Sequence, residues 1–432
     1  MLTEILIATG QLVPVSHKLR STKTMDKTKL QPLKGFRDFL PKEARKRAWL
    51  KNKLIEITER WGYEPLETPT LEPLELFEGQ IGEDEKLFYK FKDYGGRGVA
   101  LRYDQTVPTC RVVVQYKDKI TFPFKRYQCQ TVFRAEKPQA GRYREFLQFD
   151  FDILGVESEF ADAECVALTI DIYLKLGFKD VIVTINDRDL LKSIPYPAIV
   201  AIDKLEKIGE ENVIKEIQSK NISLEDSRKY LDLVKNLKPN ERLSNIFTYL
   251  KNAGFDQKNF KFEPLLARSF SYSTGPIWEV KIPGFTKGSV GGGERYDEIV
   301  EKISGQKIPG TGIALGFDRT LEALEELKLL PKLSPASEVL VTVFSPELES
   351  TSLTRSLSLR ANGINTELYP DPNVKLDKQL RYADKKGIPF ALIIGPEEVK
   401  NNTVTIKDMK STNQETVETH GLTNWLNGKL NR

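Results

Sequence analysis

The chain has 432 residues, a length that predicts two or three domains with enough apolar material for large cores. Its formal net charge of +4 is too small to indicate a nucleic-acid partner by itself. The two histidines, His17 and His420, lie near opposite ends and the three cysteines form no CxxC pair, which excludes Ser-His-Asp and Cys-His catalysis and metal sites built from several His or Cys ligands.

The first 30 residues are expected to be an arm that is disordered or lies upstream of the true start, at Met25. Their apolar run, residues 5–8, is short and precedes the basic residues, which is the wrong order for a secretory signal. No apolar run in the chain approaches the ~20 residues of a membrane span, so no membrane partner is expected. The odd number of cysteines favours a reducing, cytoplasmic location.

Helices and short strands alternate through the next part of the chain. Residues 40–43 have the proline and the acid of a helix start, and apolar residues at helical spacing continue to Gly62. The proline-bearing residues 64–70 predict an edge or interface strand. A hairpin around residues 94–98 and helices over 104–115 and 161–176 are also predicted.

The most informative segment is FRAEKPQAGRYREFLQFDFDILG, residues 133–155. Side chains of a β-strand point alternately to its two faces, so every second residue shares a face. One face of this strand would carry Arg142, Arg144, Phe146, Gln148, Asp150 and Asp152. The polar turn KPQAG joins it to the strand-like PFKRYQCQTVFRAE, so the pattern predicts a long antiparallel hairpin. A single Arg–Asp pair would indicate a solvated face, but six such positions favour a wet groove. Arginine forks suit phosphate oxygens, a phenyl face suits a purine and carboxylates suit an amine.

A helical insertion is predicted at about residues 190–257, which are rich in Lys and Glu and helical in period. Strands resume at 269–281 and 310–317, and a helix follows at 318–329. The glycine-rich GSVGGGERYDEIV is expected to be a tight turn. PGTGIALG matches a dinucleotide fingerprint only loosely and no βαβ unit follows it, so a Rossmann fold is not favoured.

A linker, LPKLSPASE, separates these elements from a C-terminal region with a different pattern of predicted strands and helices. Strands alternate with helices from residue 337 onward, and a hairpin closes the pattern. This alternation predicts a small α/β domain with a mostly parallel sheet at residues 337–432.

The segment at 133–155 closely resembles motif 2 of class II aminoacyl-tRNA synthetases, in the form seen in histidyl-tRNA synthetases. Other segments resemble the same family in the same order. KGFRDFLPKEARKRAWLKNKLIEITERWGYEPLETPTLEPLELF is similar to the entry helix and motif 1, with Pro69 at the dimer-interface proline, and LRYDQTVPTCR to the amino-acid site. LARSFSYSTGPIWEV is similar to the arginine-bearing loop, GTGIALGFDRTLEAL to motif 3, and LRYADKKGIPFALIIGPEEVKNNTVTIKDM to the anticodon-binding domain.

The resemblance implies an α+β catalytic domain over residues 31–330, with a mostly antiparallel six- to seven-stranded sheet of the class II synthetase type. The helical insertion would lie against the tRNA acceptor arm, and residues 337–432 would be an α/β anticodon-binding domain. The resemblance also implies a homodimer that uses ATP, with Mg²⁺, to ligate histidine to histidine tRNA through a histidyl-adenylate.

Roles for side chains follow from the resemblance too. The histidine site would comprise Asp104, Gln105, Thr106, Gln148, Asp152, Tyr272 and Ser273. Arg134 and Arg268 would be the catalytic arginines at the α-phosphate, and further ATP-binding residues would be Glu136, Arg144, Phe146 and Arg319. The tRNA would meet Gln139 at its acceptor end and Lys378 and Arg381 on a C-terminal helix. Asp104 as a helix cap, Asp150 as a surface residue and Lys378 and Arg381 as solvated residues remain open.

Three positions depart from the family's pattern. Where the arginine-bearing loop usually reads RGLDYY, this chain has Ser271 for the aspartate and Ser273 for the second tyrosine, which helps to hold the imidazole. Glu294 stands where GGRYDG-type loops have glycine. Two alternatives are therefore kept: a class II synthetase for another amino acid, and a non-catalytic paralogue such as a regulatory subunit of ATP phosphoribosyltransferase, which usually lacks the motif arginines and the anticodon domain.

Overall fold

The computed structural model describes residues 30–79, 86–138, 141–267 and 273–430, together with the backbone of a two-stranded sheet, β1 Glu4–Leu6 and β2 Leu12–Pro14. Of the predicted arm at residues 1–30, only those two strands and residue 30 belong to the described residues. The chain forms two compact units: one holds the residues up to Phe39 with Leu50–Lys328, and the other holds Leu40–Trp49 with Leu329–Arg432.

The larger unit is built on an eight-stranded, mostly antiparallel sheet. In order across the sheet, its strands are β10 Phe260–Phe262, β9 Ile182–Asp187, β11 Pro276–Lys281, β12 Gly291–Arg295, β13 Gly310–Gly316, β8 Glu145–Leu154, β7 Phe124–Phe133 and β3 Glu64–Pro65. The two outermost pairings are parallel and those between them are antiparallel. A smaller sheet holds β4 Leu71–Pro73, β6 Gly98–Leu101 and β5 Lys90–Lys92. The predicted α+β class is confirmed, with one strand more than the predicted six to seven.

The predicted long hairpin is formed by β7 and β8. Its register pairs Arg126 with Asp152 and Gln128 with Asp150. Phe149 and Phe151, which have the opposite parity, are fully buried. The alternation in the sequence therefore reflects two real faces, one packed into the core and one that carries polar side chains.

The expectation of a tight turn in GSVGGGERYDEIV is wrong for its centre, because residues 291–295 form the central strand β12. Its glycines are required by close neighbours: a Cβ at Gly293 would lie 2.2 Å from the Trp278 ring, and one at Gly291 would lie 3.0 Å from Leu315. Side chains from the adjoining strands cover the positions where β12 has none. A strand of glycines has no hydrophobic period, so pattern reasoning could not detect it.

Helices cover the large sheet. Outside the insertion they are α1 Pro41–Glu59, α2 Thr106–Gln115, α3 Glu159–Lys175, α9 Ile299–Ser304 and α10 Phe317–Glu326. The predicted apolar spacing in α1 places Leu50, Leu54 and Ile57 in the core, each fully buried. Gly62, with φ of 79°, adopts the left-handed conformation just after this helix.

The predicted helical insertion contains α4 Tyr196–Ile202, α5 Leu205–Ile208, α6 Glu210–Gln218, α7 Leu224–Lys235 and α8 Glu241–Asn252. Helices α4, α6 and α7 share an apolar cluster that includes Ile199, Val213 and Leu231. The insertion thus has apolar packing of its own, next to that of the sheet. None of the described helices combines the length and the apolar composition that crossing a membrane requires.

The smaller unit has a five-stranded sheet with helices. Its strands, in spatial order, are β15 Thr366–Leu368, β14 Val339–Val341, β16 Phe390–Ile393, β17 Thr403–Asp408 and β18 Gln414–Glu418. Its helices are α11 Glu349–Ala361, α12 Leu376–Lys386, α13 Pro396–Asn401 and α14 Leu422–Leu430. The first three strands are parallel, whereas β17 and β18 form the predicted hairpin and pair antiparallel. The sheet is therefore half parallel rather than mostly parallel.

Candidate active site

A cavity of about 360 Å³ opens on the polar face of the large sheet. Its floor is formed by β8, β13 and β12, and residues from α2, from the start of α10 and from the turn after β7 contribute to its walls. Charge is unevenly distributed along it. Arg134 and Arg142 flank the start of β8 and Arg319 follows β13, whereas Asp150, Asp152 and Glu294 lie farther along the strands toward the other end. Asp104 lines the cavity near enough to Arg134 for their charges to interact.

Arg134 follows directly after β7 and is fixed by local contacts. Its Nε donates a hydrogen bond to the carbonyl of Tyr103 at 3.3 Å. The guanidinium carbon lies 4.4 Å from the centre of the Tyr103 ring and 5.3 Å from that of Phe146. Among the described residues, nothing accepts a hydrogen bond from its terminal nitrogens. The side chain therefore presents an oriented fork that suits two oxygens of an anion.

Two further arginines converge at this end of the cavity. The Nη1 of Arg319 donates to the carbonyl of Ser289 at 2.9 Å. Burial, and next the like charge of Arg142, lower the pKa of Arg319. Arg142 itself pairs with Glu136 at 3.2 Å. Cations held close together against their mutual repulsion favour a polyanionic ligand at this end.

Asp104 lies between the end of β6 and α2, where its two oxygens have different surroundings. Oδ1 accepts a hydrogen bond from the backbone N–H of Val107 at 3.1 Å, so the helix-capping role is real. Oδ2 is buried in the cavity and has no hydrogen-bond partner among the described residues. Burial raises the pKa of Asp104 to about 6. A buried acceptor without a partner is costly, and a donor on a ligand would relieve that cost.

The carboxylates of β8 rest on a buried arginine. The Nη2 of Arg126 lies 2.5 Å from Oδ2 of Asp152, and both side chains are almost inaccessible. The hydroxyl of Tyr296 donates to the other oxygen of Asp152. Burial raises the pKa of Asp152 and lifts that of Asp150 well above its usual range. Within the part of the chain that the structure describes, Oδ1 of Asp150 and Oε1 of Gln148 have no hydrogen-bond partner.

Glycines of β13 leave room for these acids. A Cβ at Gly312 would lie 2.0 Å from Oδ1 of Asp152, and one at Gly310 would lie 2.4 Å from the Tyr296 ring. The strand therefore forms a floor without side chains at the acidic end of the cavity. The glycines that weakly suggested a dinucleotide fingerprint have this different cause.

Comparisons with known proteins identify the fold and its family. A sequence model described as histidyl-tRNA synthetase matches residues 35–223 and 206–320, and one described as an anticodon binding domain matches residues 338–429. The chain belongs to the histidyl-tRNA synthetase family.

Curated relatives of the family match along most of their length. Three of the most similar are named histidine–tRNA ligase. The relative from Cytophaga hutchinsonii is 38% identical, over 88% of this chain and 96% of its own length. Those from Wolinella succinogenes and Christiangramia forsetii are 36% and 35% identical, covering 89% and 91% of this chain and 94% and 98% of their own.

Solved histidyl-tRNA synthetase structures have the same fold. The enzyme from Nostoc matches with a TM-score of 0.78 at 29% identity, over 92% of this chain and 99% of that chain. A protein from Bacillus halodurans, described as an ATP phosphoribosyltransferase regulatory subunit/histidyl-tRNA synthetase, matches with a TM-score of 0.65 at 23% identity, over 81% of this chain and 95% of that chain. At that identity the second likeness concerns the fold alone.

Most described residues of the predicted synthetase site line one cavity: Asp104, Thr106, Arg134, Glu136, Phe146, Gln148, Asp152 and Arg319. Gln105 does not, because it is fully buried and its amide donates to the carbonyl of Gln148. Arg144 does not either; its guanidinium donates to the carbonyls of Glu136 and Lys34. Ser273 lies behind Glu294, to which it donates a hydrogen bond. Arg268, Tyr272 and Gln139 lie outside the described residues, and Lys378 and Arg381 are exposed on α12 of the other unit.

Sequence reasoning missed part of the synthetase cavity. Asp150 was left open as a surface residue, although it shares the parity of Gln148 and Asp152. Arg126 could have been inferred from the hairpin, since the register places it opposite Asp152. Glu294 was seen only as a departure, because β12 was not recognised as a strand. For Glu294 the missing information was strand pairing, which a single sequence does not display.

Removing the buried charge of Asp104 is expected to stabilise the protein while it impairs the site. In the unfolded chain the pKa of an aspartate is near 3.8, whereas burial raises the pKa of Asp104 in the folded protein to about 6. The stability that protonated Asp104 contributes is therefore complete below pH 3.8 and is lost as the pH rises through 6. Asp104→Asn keeps the cap acceptor and should increase the free energy of unfolding at pH 8 by up to about 3 kcal/mol, with no gain at pH 4. Urea unfolding at both pH values measures this.

The half-buried Asp93 provides a control of opposite sign. Hydrogen bonds from the backbone and side chain of Arg97 lower its pKa, so Asp93→Asn should lose stability at pH 8. If Asp104→Asn destabilises the protein at pH 8 as Asp93→Asn does, the buried carboxylate of Asp104 is already compensated in the free protein.

Proposed function

We propose that this cavity is where the chain activates histidine with ATP before it transfers the amino acid to histidine tRNA. Family membership and the curated relatives make the chain an aminoacyl-tRNA ligase, histidine–tRNA ligase, with ATP as a substrate. The opposite charges at the two ends of the cavity support the assignment of its residues. Arginines line the end suited to the phosphates. Acids whose oxygens lack hydrogen-bond partners among the residues described line the end suited to the ammonium and imidazole of histidine.

We assign each group of ATP and histidine to the side chains that would bind it. Arg134 would hold the α-phosphate, Phe146 would stack on adenine and Glu136 would contact the edge of the base. Arg319 would cover the other face of adenine or reach the outer phosphates. At the other end, Asp104 and Thr106 would receive the α-ammonium group. Gln148 would bind the amino acid, and Asp152 would accept a hydrogen bond from the imidazole. We keep Arg268 and Tyr272 in the roles that the resemblance implies.

The reaction needs no histidine on the enzyme. The carboxylate of the substrate is already ionised at neutral pH, so it can attack the α-phosphorus without a general base, and the P–O bond to pyrophosphate breaks as the new bond forms. Catalysis then consists of alignment and of neutralising the charge that develops on the phosphoryl oxygens, a task for which the fork of Arg134 is placed. A ribose hydroxyl of tRNA next attacks the carbonyl of the adenylate and releases AMP.

Mg²⁺ fits this site as a companion of ATP rather than as a resident ion. No group of three or more His, Cys, Asp or Glu among the described residues could hold a metal ion. Mg²⁺ normally needs only one or two carboxylates together with phosphate oxygens. Glu279 lines the cavity and acts on the charge of Arg319, so it would supply such a ligand. The ion would neutralise charge on the phosphates.

We also propose a cytoplasmic homodimer with the assigned domain roles: catalysis at 31–330, acceptor-arm contact by the insertion at about 190–257, and anticodon binding at 337–432. The match to the anticodon-binding model over residues 338–429 supports the last. Strand β3 ends the sheet, and Pro65, Pro69 and Leu71 are exposed beside it, as a subunit interface along this edge would require. Gln139 would face the acceptor end of tRNA.

Replacing Lys378 and Arg381 together by alanine is expected to weaken tRNA binding alone. Both are exposed on α12 and free to meet phosphates, so the KM for tRNA should rise about three- to tenfold, with a smaller dependence on salt. Histidine-dependent pyrophosphate exchange, which needs no tRNA, should not change. Lys400→Ala, at an exposed position on α13, is the control. An unchanged KM for tRNA in the double variant would assign both residues to plain solvation.

ATP–pyrophosphate exchange with each of the twenty amino acids tests the proposed function. We expect exchange with histidine alone. Exchange with a different amino acid would identify a synthetase of another specificity. No exchange with any of them would favour the regulatory subunit, but the cavity retains Arg134 and Arg319, which such paralogues usually lose.

A further inference from the structure

Two departures from the histidyl-tRNA synthetase pattern meet in the structure. Ser273 stands where the family has tyrosine, and Glu294 stands where it has glycine. The Oγ of Ser273 donates a hydrogen bond to Oε2 of Glu294, and the two residues are only 7% and 6% exposed. One change removes a phenol, whereas the other adds a side chain with hydrogen-bond acceptors. The two changes therefore compensate each other in volume and in polarity.

Strand pairing fixes where Glu294 stands relative to the acids of β8. Glu294 on β12 pairs with Gly312 on β13, and Gly312 pairs in turn with Asp152 on β8. Paired residues of antiparallel strands share a face of the sheet, so the two acids flank a glycine on the face that lines the cavity. Their backbones are two strand spacings apart, roughly 10 Å.

Both acids line the cavity, so a flat ring bound there can meet a carboxylate on each side. The carboxylate of Asp152 lies over Gly312, because its Oδ1 would be only 2.0 Å from a Cβ at that position, and the hydroxyl of Tyr296 donates to it. Imidazole carries nitrogens at two positions of its ring, each able to donate when protonated. Two carboxylates in one cavity match that pattern better than they match an aliphatic side chain.

We propose that Glu294 is a specificity-determining residue that accepts a hydrogen bond from the imidazole nitrogen opposite the one facing Asp152, and that Ser273 positions its carboxylate. The inference rests on the proposed histidine site. It explains how this chain can recognise histidine with serine in place of the tyrosine that helps to hold the imidazole.

Kinetics of exchange with five variants test the proposal. In Glu294→Gln, which keeps the size of the side chain, the KM for histidine should rise about ten- to a hundredfold while the KM for ATP stays within about twofold. Glu294→Gly should lose discrimination against one of the two ring-N-methylated histidines, by about tenfold or more, because space opens beside that nitrogen. Glu298→Gln, at an exposed glutamate paired with Lys302, is the matched control and should behave as the wild type.

The most decisive measurement is whether a second substitution restores the KM for histidine that a single substitution impairs. Ser273→Tyr alone should collide with Glu294, and Glu294→Gly alone should leave a hole. The double variant Ser273→Tyr/Glu294→Gly should return the KM for histidine to within about threefold of the wild type, a coupling that independent sites do not show. Thermal melting identifies variants that fail to fold, and in that case the isosteric Glu294→Gln decides.

The proposal fails if Glu294→Gln and Glu294→Gly retain the wild-type KM for histidine and the wild-type discrimination against the methylated analogues. It also fails if the losses of the two single changes simply add in the double variant. A wild-type protein that shows no histidine-dependent exchange would overturn the proposed function as a whole, and that result is distinct from either of these.

Discussion

Arg134→Gln should lower kcat/KM for ATP in histidine-dependent pyrophosphate exchange by about a thousandfold, or ~4 kcal/mol of transition-state stabilisation. The backbone carbonyl of Tyr103 and the rings of Tyr103 and Phe146 orient this guanidinium, so its fork needs little rearrangement to meet a phosphate. Glutamine keeps a donor but loses the charge that the α-phosphoryl oxygens require as pyrophosphate leaves. Single-turnover formation of the adenylate measures the affected step directly.

Two further variants distinguish charge from geometry in this prediction. Arg134→Lys keeps the positive charge without the planar fork, so we expect an intermediate loss. Arg60→Gln removes an arginine that is 61% exposed and paired with Glu56 at the end of α1, and it should leave exchange unchanged. Retention of a tenth or more of the activity in Arg134→Gln would mean that other cations bear the phosphoryl charge.

Arg126→Met should destabilise the protein by about 3–5 kcal/mol at pH 8. The arginine is fully buried, and it is the cation paired with Asp152 below the acidic end of the cavity. Methionine fills much of the volume but leaves Asp150 and Asp152 as neighbouring buried acids without that partner. Removing the cation raises the pKa of Asp152 further, so the lost stability should be largest at high pH and should shrink as the pH falls and the acids take up protons.

Chemical unfolding at pH 8 and pH 5 checks both the size and the direction of this effect. The matched control is Arg97→Met, because Arg97 is 81% exposed and pairs with Asp93 on the surface. Its loss should have little effect on the free energy of unfolding at either pH. A deficit in Arg126→Met that stays constant between pH 5 and pH 8 would assign the loss to packing rather than to the uncompensated acids.

Several features of the fold could be predicted because they depend on local periodicity. The alternate spacing of Phe149 and Phe151 predicts the two faces of β8, and the helical spacing of Leu50 and Leu54 predicts the buried face of α1. The linker and the change of pattern after it predict that a second domain begins at residue 337. The strand β12 escaped notice because glycines carry no periodic signal, and its place in the sheet depends on Trp278 and Leu315 of neighbouring strands.

The candidate site was predictable to the extent that its residues lie on one strand. Phe146, Gln148 and Asp152 were inferred from parity along β8 and from the resemblance, and the structure brings them to one cavity. Arg144 has the same parity, yet it leaves the cavity because backbone carbonyls of Glu136 and Lys34 accept its hydrogen bonds. Parity gives the face of a strand, but the hydrogen-bond partners decide where a long side chain ends.

The sequence by itself determined the family, the order of the motifs, the long hairpin and the polar character of its exposed face, since these depend on residues close together along the chain. Tertiary structure alone decided that Glu294 meets Ser273 and stands two strands away from Asp152 in the sheet. Those contacts arise when strands far apart in the chain pair in one register. Pairing juxtaposes side chains across strands, and burial then gives their charges the energetic weight that they lack in water.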